Sequence, residues 1–363
     1  MWIRADYTYM ALALQLAERG LYTTSPNPRV GCVIVKDGRI IGEGWHQRAG
    51  EAHAEVYALQ AAGEQARGAT AYVTLEPCSH VGRTPPCADA LIRAGLSRVV
   101  VAMQDPNPLV AGNGLARLQA AGIATSCGLL EAQARQLNRG FVQRMTLNRP
   151  WLTLKTASSL DGKTALSSGE SKWITAAPAR LDVHRLRARS CAILTAIGTV
   201  LADDPALNVR DITTSRQPLK IIVDTHLRTP PDARILQQPG TIIAYTHADT
   251  DKQLALRAAG AELLPVASNS NHVDLTALMS LLALRGINEI MTEAGAQLNA
   301  ALIQAGLVDE WQMYIAPTLL GNDARGLFTL AQPDTIMARR KLTITDTRLI
   351  GSDLRITAHF QQH

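Results

Sequence analysis

The distribution of apolar and polar positions in the first 148 residues predicts helices and strands that alternate along the chain. Apolar runs of about 4–8 residues indicate buried strands, and longer stretches with apolar residues at i, i+3 and i+4 indicate helices. The predicted helices are residues 5–19, 53–63, 87–94 and 115–121, and the predicted strands are residues 30–35, 40–45, 70–75, 98–102 and a short one near 123. This order is typical of an α/β sandwich.

A polar helical connector is predicted at residues 131–147, and Pro150 ends it because proline cannot continue a helix. A second α/β alternation begins at Trp151. Its predicted strands are residues 152–156, 220–224, 241–245, 287–292, 310–316 and the strand-rich stretch 342–359, and its predicted helices are residues 179–190, 251–259, 275–285 and 297–305. We therefore expect two domains, residues 1–148 and 149–363.

Composition narrows the class of protein. A chain of 363 residues that is 47% hydrophobic and 18% charged can bury two separate cores. No apolar run approaches membrane-spanning length, and the first seven residues lack a signal-peptide profile, so we expect a cytoplasmic protein with no membrane partner. Five cysteines without framework spacing fit a reducing compartment. The net charge of +5, with arginines scattered among acids, favours anionic small molecules at least as much as nucleic acid.

One histidine, one glutamate and two cysteines form the most specific chemical pattern in the chain. His53 and Glu55 open a predicted helix, Cys78 follows the strand at 70–75, and Cys87 starts the next helix. One histidine and two cysteines are three zinc ligands, and they leave the fourth position of a tetrahedral zinc ion open for water. The order His-x-Glu, Pro-Cys, Cys is the signature of zinc nucleobase deaminases, in which the glutamate is a general acid and base and not a ligand. The pattern predicts zinc on His53, Cys78 and Cys87, with Glu55 as the catalytic residue.

Two further features bear on this site. The interval between Cys78 and Cys87 holds eight residues, Ser-His-Val-Gly-Arg-Thr-Pro-Pro, where the general signature has two. We favour a role for His80 in substrate contact or ligand support, because a fourth protein ligand would close the site.

The prolines on either side of Asn27 fix an extended turn that presents the Asn27 side chain. Its amide pairs with donor and acceptor edges of a pyrimidine, so Asn27 is our candidate for holding the base.

The residues alone leave two other interpretations open. One is a nucleoside or nucleic-acid deaminase with an unrelated C-terminal domain, which would need a basic groove or base-stacking aromatics, although only 4% of residues are aromatic. The other is a non-catalytic module stabilised by zinc, in which Glu55 is simply an acid in the first turn of a helix.

Along essentially its whole length the chain resembles the bifunctional deaminase–reductases of riboflavin biosynthesis. These proteins join a cytidine-deaminase-like three-layer domain to a dihydrofolate-reductase-like α/β domain. The resemblance is carried by Ser-Pro-Asn-Pro-Arg-Val-Gly at 25–31, His-Ala-Glu at 53–55, the segment 76–87, Lys-Thr-Ala-Ser-Ser-Leu-Asp-Gly-Lys at 155–163, Leu-Ala-Asp-Asp-Pro at 201–205 and Glu-Ala-Gly at 293–295. The long interval between the cysteines is a feature of this family.

The resemblance implies a reaction for each half. Residues 1–148 would deaminate 2,5-diamino-6-(5-phosphoribosylamino)pyrimidin-4(3H)-one with Zn2+, and residues 149–363 would reduce the ribosyl group to ribityl with NADPH. The second half has no Gly-x-Gly-x-x-Gly between a strand and a helix, so NADPH follows from the resemblance. The start of the helix after Glu293 does favour a pyrophosphate. A homodimer or larger assembly is also implied.

Further site residues follow from the resemblance, position by position. NADPH contacts are implied for Ala157, Trp173, Thr199, Asp203, Gly295, Ala296, Gln297, Leu298, Asn299, Ala300 and Ala301. Substrate contacts are implied for Asn27, Ser171, Arg187, Leu207, Arg210, Glu293 and Lys155. Arg187 and Arg210 suit a phosphate because guanidinium offers forked donors. Asp161 is expected either to act in the site or to form an Asp-Gly turn.

Overall fold

A five-stranded sheet and a nine-stranded sheet lie at the centres of the two units of the chain, Met1–Asn148 and Arg149–His363. The structure is a computed structural model, and it describes residues 2–79, 86–108 and 110–361. Both units combine helices with a sheet, which confirms the predicted α/β class. No helix within these residues is both long and apolar enough to cross a membrane.

The elements of the first unit lie close to the predicted positions. Its helices are α1 Arg4–Glu18, α2 Ala54–Ala62, α3 Cys87–Arg93, α4 Asn113–Ala120, α5 Glu131–Leu137 and α6 Arg139–Leu147. Its strands are β1 Gly31–Lys36, β2 Arg39–Trp45, β3 Thr70–Val73, β4 Arg98–Val101 and β5 Ala124–Cys127.

The sheet of the first unit has helices on both faces. Its strand order is β2-β1-β3-β4-β5, in which β1 is antiparallel to both neighbours and β3, β4 and β5 are parallel. Alternate residues of β1 point to opposite faces. Cys32 and Ile34 pack with residues of α2, α3 and α4, and Val33 and Val35 pack with residues of α1, α5 and α6. The unit is therefore a three-layer sandwich.

The predicted connector at 131–147 is instead part of the first unit's core. Ala134 of α5 and Phe141 of α6 are buried against the sheet. Between these helices Asn138 is 1% exposed. Its Oδ1 accepts the backbone N–H of Arg29 at 2.8 Å, and its Nδ2 donates to the Arg29 carbonyl at 2.9 Å. The connector prediction was wrong because the polar surface of these helices concealed a narrow buried face.

The second unit has more elements than the sequence predicted. Its helices are α7 Ala177–Arg189, α8 Ile197–Asp203, α9 Thr250–Ala258, α10 Leu275–Leu284 and α11 Ala296–Gln304. Its strands are β6 Trp151–Ser159, β7 Lys163–Ala165, β8 Ala192–Ala196, β9 Leu219–Val223, β10 Thr241–Tyr245, β11 Glu262–Pro265, β12 Ser268–Asn269, β13 His272–Val273, β14 Glu289–Thr292, β15 Glu310–Ala316, β16 Arg325–Gly326, β17 Leu342–Ile350 and β18 Asp353–Phe360. The prediction omitted helix α8 and the strands β7, β8, β11, β12, β13 and β16.

The large sheet of the second unit is mostly parallel and is also covered on both faces. Its order is β11-β10-β9-β8-β14-β6-β15-β18-β17, with only the last two strands antiparallel to their neighbours. Apolar residues of α10 and α11 pack on one face, and those of α7, α8 and α9 pack on the other. In such a sheet ligands bind beyond the carboxyl ends of the strands, which here lead into α8 after β8 and into α11 after β14.

Candidate functional site

Three potential metal ligands meet in the first unit. His53 is the residue before α2, Cys78 follows β3, and Cys87 is the first residue of α3. Their ligand atoms all lie within 4.8 Å of one another. The His53 Nδ1 atom is 3.2 Å from the Cys87 Sγ and 3.6 Å from the Cys78 Sγ. Two helix starts and one strand end thus place one nitrogen and two sulfur atoms around a common point.

The two thiols are electrostatically unequal in this cluster. The hydrogen bond with Cys87 lowers the pKa of Cys78 to about 4, whereas the same bond raises the pKa of Cys87. The backbone N–H of Cys87 also donates to the Cys78 sulfur at 3.3 Å. The cluster therefore already stabilises one thiolate, which is the form of cysteine that binds zinc.

Glu55 lies beside this cluster in the first turn of α2 and is 3% exposed. Burial raises the pKa of its carboxyl group to about 7. Its Oε2 atom is buried and has no hydrogen-bond partner among the described residues. A carboxyl group with a pKa near neutrality and one unused oxygen is suited to taking and returning a proton.

Asn27 lies in the turn before β1 and is held by a histidine that the sequence prediction missed. Its Nδ2 lies 3.1 Å from the Nε2 of His46, and the Nδ1 of His46 lies 3.0 Å from the Ala52 carbonyl. The ring of His46 also packs edge-on against that of His53, with 5.5 Å between the ring centroids. The position of His46 directly after β2 was the available signal. Its spacing from His53 matches no metal motif, so nothing in the sequence marked it.

Gly31 allows the segment that carries Asn27 to approach α1. A Cβ atom at this position would lie 1.9 Å from the carbonyl oxygen of Ala13. Gly31, the last residue of the Ser-Pro-Asn-Pro-Arg-Val-Gly motif, therefore allows close packing against α1, and the turn before it presents Asn27.

Glu76 is a second residue of this region that the sequence prediction did not assign. It is 3% exposed, and its carboxylate accepts backbone N–H groups of four residues at 2.8–3.2 Å: Asp105, Gly112, Gly114 and Leu115. Two of these donors belong to the first turn of α4. Glu76 therefore fixes the start of α4 against the strand end that leads to Cys78. His80 and the rest of the segment 80–85 lie outside the described residues.

The second unit contains a cavity of about 1040 Å3 at the carboxyl edge of its sheet. Most residues that resemblance assigned to NADPH or substrate line it: Lys155, Ala157, Ser171, Trp173, Arg187, Thr199, Asp203, Leu207, Arg210, Glu293, Gly295, Ala296, Gln297, Leu298 and Asn299. Ala300 and Ala301 follow on α11 and are not among its described lining residues. A cavity of this size accommodates a dinucleotide.

A buried group of charges lies in this cavity. The Arg187 guanidinium binds both carboxylate oxygens of Glu293, with 2.9 Å from Nη2 to Oε2, and its Nη1 donates to the Asn208 carbonyl at 2.8 Å. The Nζ of Lys155 is 4.0 Å from Glu293. Burial raises the pKa of Glu293, but the charge and hydrogen bond of Arg187, together with the charges of Lys155 and His184, outweigh that effect and bring the pKa to about 2. Because Glu293 and the Asn208 carbonyl together engage all three side-chain nitrogens of Arg187, Arg210 is the freer of the two predicted phosphate clamps.

The side chain of Asp161 stabilises the backbone of a turn. Its carboxylate accepts the hydroxyl of Ser159 and the backbone N–H groups of Leu320 and Gly321. Gly162, the next residue, has a φ of 74°, as an Asp-Gly turn requires. Of the two expectations for Asp161, the turn is the one that this geometry supports.

Two family profiles match most of the chain between them. The cytidine and deoxycytidylate deaminase zinc-binding region matches residues 3–103, and the RibD C-terminal domain matches residues 150–356. Among curated proteins, the riboflavin biosynthesis protein RibD of Escherichia coli (strain K12) is 55% identical over 362 residues, which cover 96% of this chain and 98% of that protein. The protein of the same name from Haemophilus influenzae is 46% identical over 97% of this chain and 96% of its own length.

Solved structures give the same result. Form 1 of Acinetobacter baumannii RibD has a TM-score of 0.93 and 46% identity over 99% of both chains. A diaminohydroxyphosphoribosylaminopyrimidine deaminase/5-amino-6-(5-phosphoribosylamino)uracil reductase from Thermotoga maritima has a TM-score of 0.87 and 31% identity, and the match covers 98% of this chain and 99% of that one. Each likeness spans both units of the chain.

Proposed function

Because the chain belongs to the RibD family of riboflavin-biosynthesis enzymes, we propose that its two sites act in succession on one phosphoribosylated pyrimidine. The chain is a bifunctional deaminase and reductase, with a cytidine-deaminase domain followed by a RibD reductase domain. The substrate of the first site is 2,5-diamino-6-(5-phosphoribosylamino)pyrimidin-4(3H)-one in this proposal, and the deaminated product is the substrate of the second.

One observation carries the deaminase half of the proposal: the buried carboxyl group of Glu55 lies beside a cluster of His53, Cys78 and Cys87. One nitrogen and two sulfurs fit zinc, and three protein ligands leave one tetrahedral position for a water. Zinc, when bound, makes that water acidic enough to act as a nucleophile near neutral pH. The ligand set consists of His53, Cys78 and Cys87.

The residues around the cluster have different roles in the proposed deamination: proton transfer, orientation of the pyrimidine and support of the metal ligands. Glu55 accepts the proton of the attacking water on its unused Oε2 and delivers it to the departing ammonia. Asn27 orients the pyrimidine through its side-chain amide, and His46 fixes that amide. Glu76 holds the strand end that supplies Cys78.

In the second unit, the cavity at the carboxyl edge of the sheet binds NADPH and the deaminated pyrimidine together. NADPH, when bound, would supply a hydride to the ribosyl carbon that bears the amine; the bond from this carbon to the ring oxygen breaks, that oxygen takes up a proton, and the ribosyl group becomes ribityl. The start of α11 at Gly295 offers free N–H groups to the pyrophosphate.

The other lining residues of the cavity divide between cofactor and substrate. The cofactor is bordered by Ala157, Trp173, Thr199 and Asp203. Ser171, Leu207 and Arg210 contact the substrate, and the group of Lys155, Arg187 and Glu293 faces its ribose. The proposal extends, on resemblance alone, to a homo-oligomer in the cytoplasm.

Product analysis with the intact chain tests this proposal. Incubation with the diamino substrate and zinc should release ammonia without NADPH, and NADPH oxidation should begin only after deamination. Oxidation of NADPH with the diamino substrate before any ammonia appears would contradict the proposed order. Release of ammonia from cytidine at a comparable rate would contradict the proposed substrate.

A further inference from the structure

Residues 207–210 form a short segment at the wall of the second unit's cavity, outside any helix or strand. Leu207, Asn208 and Arg210 line the cavity, and Leu207 and Arg210 are two of the predicted substrate contacts. Leu207 has a φ of 46°, in the left-handed region that residues with a side chain rarely adopt. The local backbone does not favour this conformation, so contacts from other parts of the unit must hold the segment.

Two side chains hold the middle of the segment. Gln217 binds both backbone groups of Val209: its Oε1 accepts the N–H and its Nε2 donates to the carbonyl, each at 2.8 Å. The Arg187 guanidinium donates to the Asn208 carbonyl, also at 2.8 Å. These bonds fix the backbone as far as Val209, and they do not reach the backbone N–H of Arg210.

His184 binds the segment at Arg210. The backbone N–H of Arg210 donates to Nδ1 of His184 at 3.4 Å. The other ring nitrogen of His184, Nε2, lies 2.9 Å from the Asp211 carboxylate. His184 is 2% exposed and lies on α7, three residues before Arg187. One buried ring therefore contacts two consecutive residues at the end of the segment.

This arrangement requires the neutral form of the His184 ring. Nδ1 accepts a hydrogen bond only without a proton, so Nε2 carries the proton and donates to Asp211. Burial lowers the pKa of His184, as do the positive charges of Arg187 and Arg210. The carboxylates of Asp211 and Glu293 act in the opposite direction and do not outweigh these effects. Near neutral pH the ring therefore keeps its acceptor for Arg210.

We propose that His184 is a positioning residue for the reductase, because its neutral ring holds the Arg210 backbone and so directs the Arg210 guanidinium towards the phosphorylated substrate. This inference rests on the proposed reductase function. His184 is not among the described residues that line the cavity, so it acts through Arg210. Protonation of Nδ1 would set one N–H against another and release the backbone of Arg210. Binding of the substrate should therefore weaken in acid.

Two substitutions separate the acceptor from the bulk of the ring. His184→Phe keeps an aromatic ring of similar size and removes Nδ1. His184→Asn places an amide oxygen near the position of Nδ1, and this oxygen accepts a hydrogen bond but does not titrate. Arg185→Gln is the matched control, because Arg185 is the next residue on α7, its side chain is exposed, and it makes only a long contact with Asp182.

Steady-state kinetics of the full chain with NADPH and the deaminated pyrimidine test the inference. At about pH 7.5, His184→Phe should raise the KM for the pyrimidine about threefold to tenfold, the usual contribution of one hydrogen bond. The KM for NADPH should not change, which shows that the second unit is folded. His184→Asn should restore most of the affinity for the pyrimidine, and Arg185→Gln should behave as the wild type.

The pH profile distinguishes a positioning role from a merely structural one. Between about pH 7 and about pH 5, kcat/KM for the pyrimidine should fall about threefold further in the wild type than in His184→Asn. The comparison cancels the titration of the substrate phosphate, which both proteins share. Glu293 has a pKa of about 2 and stays ionised over this range.

Three results would overturn the inference and leave the proposed reductase function intact. They are an unchanged pyrimidine KM in His184→Phe, an equal rise of the KM for NADPH and for the pyrimidine in that variant, and an acidic loss in His184→Asn as large as that of the wild type. If the wild-type chain oxidises no NADPH with the deaminated pyrimidine, the proposed reductase function falls, and the inference falls with it.

Discussion

The Asn27 side chain donates a hydrogen bond to His46 across 3.1 Å, and this bond fixes which way the Asn27 amide faces. The Ala52 carbonyl accepts from Nδ1 of His46, so Nδ1 carries the proton and Nε2 is the acceptor. Burial lowers the pKa of His46, which keeps the ring in this neutral form. The Oδ1 atom of Asn27 is thereby left as the acceptor for a donor group of the pyrimidine.

A double-mutant cycle tests this relationship. We expect Asn27→Ala and His46→Phe each to lower the deaminase kcat/KM about tenfold, because each removes the same oriented acceptor. The double variant should lose little more than either single variant. Losses that simply multiply would mean that the residues act independently. Zinc content, measured in parallel, should stay at the wild-type level in all three proteins.

Replacement of Glu76 should loosen the start of α4. In Glu76→Gln the amide nitrogen faces backbone N–H groups that the carboxylate accepted, so one or two of these donors lose their partner at a cost of about 1–3 kcal/mol each. Hydrogen–deuterium exchange of a peptide that covers residues 105–115 should become faster. The control is Glu131→Gln, which removes only the exposed ion pair with Arg135. Unchanged protection in Glu76→Gln would show that other contacts hold this turn.

The sequence predicted the local elements well, and it failed where contacts between distant residues decide the structure. Strand β8 was missed because Ala192–Ala196 is buried on both faces and follows α7 almost directly, so it shows neither alternation nor a turn signal. Helix α4 begins at Asn113, two residues before the predicted start, because Glu76 satisfies its first N–H groups from a distant position.

The same limit applies to the sites. His53, Glu55, Cys78 and Cys87 stand in a spaced motif, and the structure places them together. His46 and Glu76 have no motif of their own, and their roles depend on hydrogen bonds that only the folded chain brings about. The ion pair between Arg187 and Glu293 joins residues that are 106 positions apart, and no local pattern indicates it.

Loss of a zinc ligand should separate the two activities. Cys87→Ala removes one of three ligands, so we expect the zinc content measured by plasma mass spectrometry to fall close to zero. Deamination should fall by at least about 1,000-fold, because the zinc-activated water is lost. NADPH oxidation with the deaminated pyrimidine serves as the internal control and should persist. Full zinc content in Cys87→Ala would contradict the proposed ligand set, as would full zinc content in Cys78→Ala.

The ion pair of Glu293 predicts a pH-dependent contribution to stability. Its pKa is about 2 in the folded chain, below the value of about 4.3 for an unfolded glutamate. The stabilisation is therefore complete above the unfolded value and is lost as the pH falls towards 2. Near pH 7, we expect Glu293→Gln to be less stable by about 2–4 kcal/mol in urea unfolding, because Arg187 is left buried without its partner.

The difference between wild type and Glu293→Gln should shrink as the pH is lowered from about 5 to about 3. Glu262→Gln is the control, because it removes an exposed ion pair with Arg285 that should contribute less than about 1 kcal/mol. A difference that stays constant over this pH range would contradict the low pKa of Glu293.

The rate of ammonia release by Glu55→Gln tests most directly whether Glu55 carries the proton in deamination. The substitution keeps the size and burial of the side chain and removes only its capacity to carry a proton between water and ammonia. We expect a zinc content equal to that of the wild type, with deamination of the phosphoribosylated diaminopyrimidine slower by about 100- to 10,000-fold. Ammonia release at the wild-type rate from a zinc-loaded Glu55→Gln protein would contradict this role of Glu55.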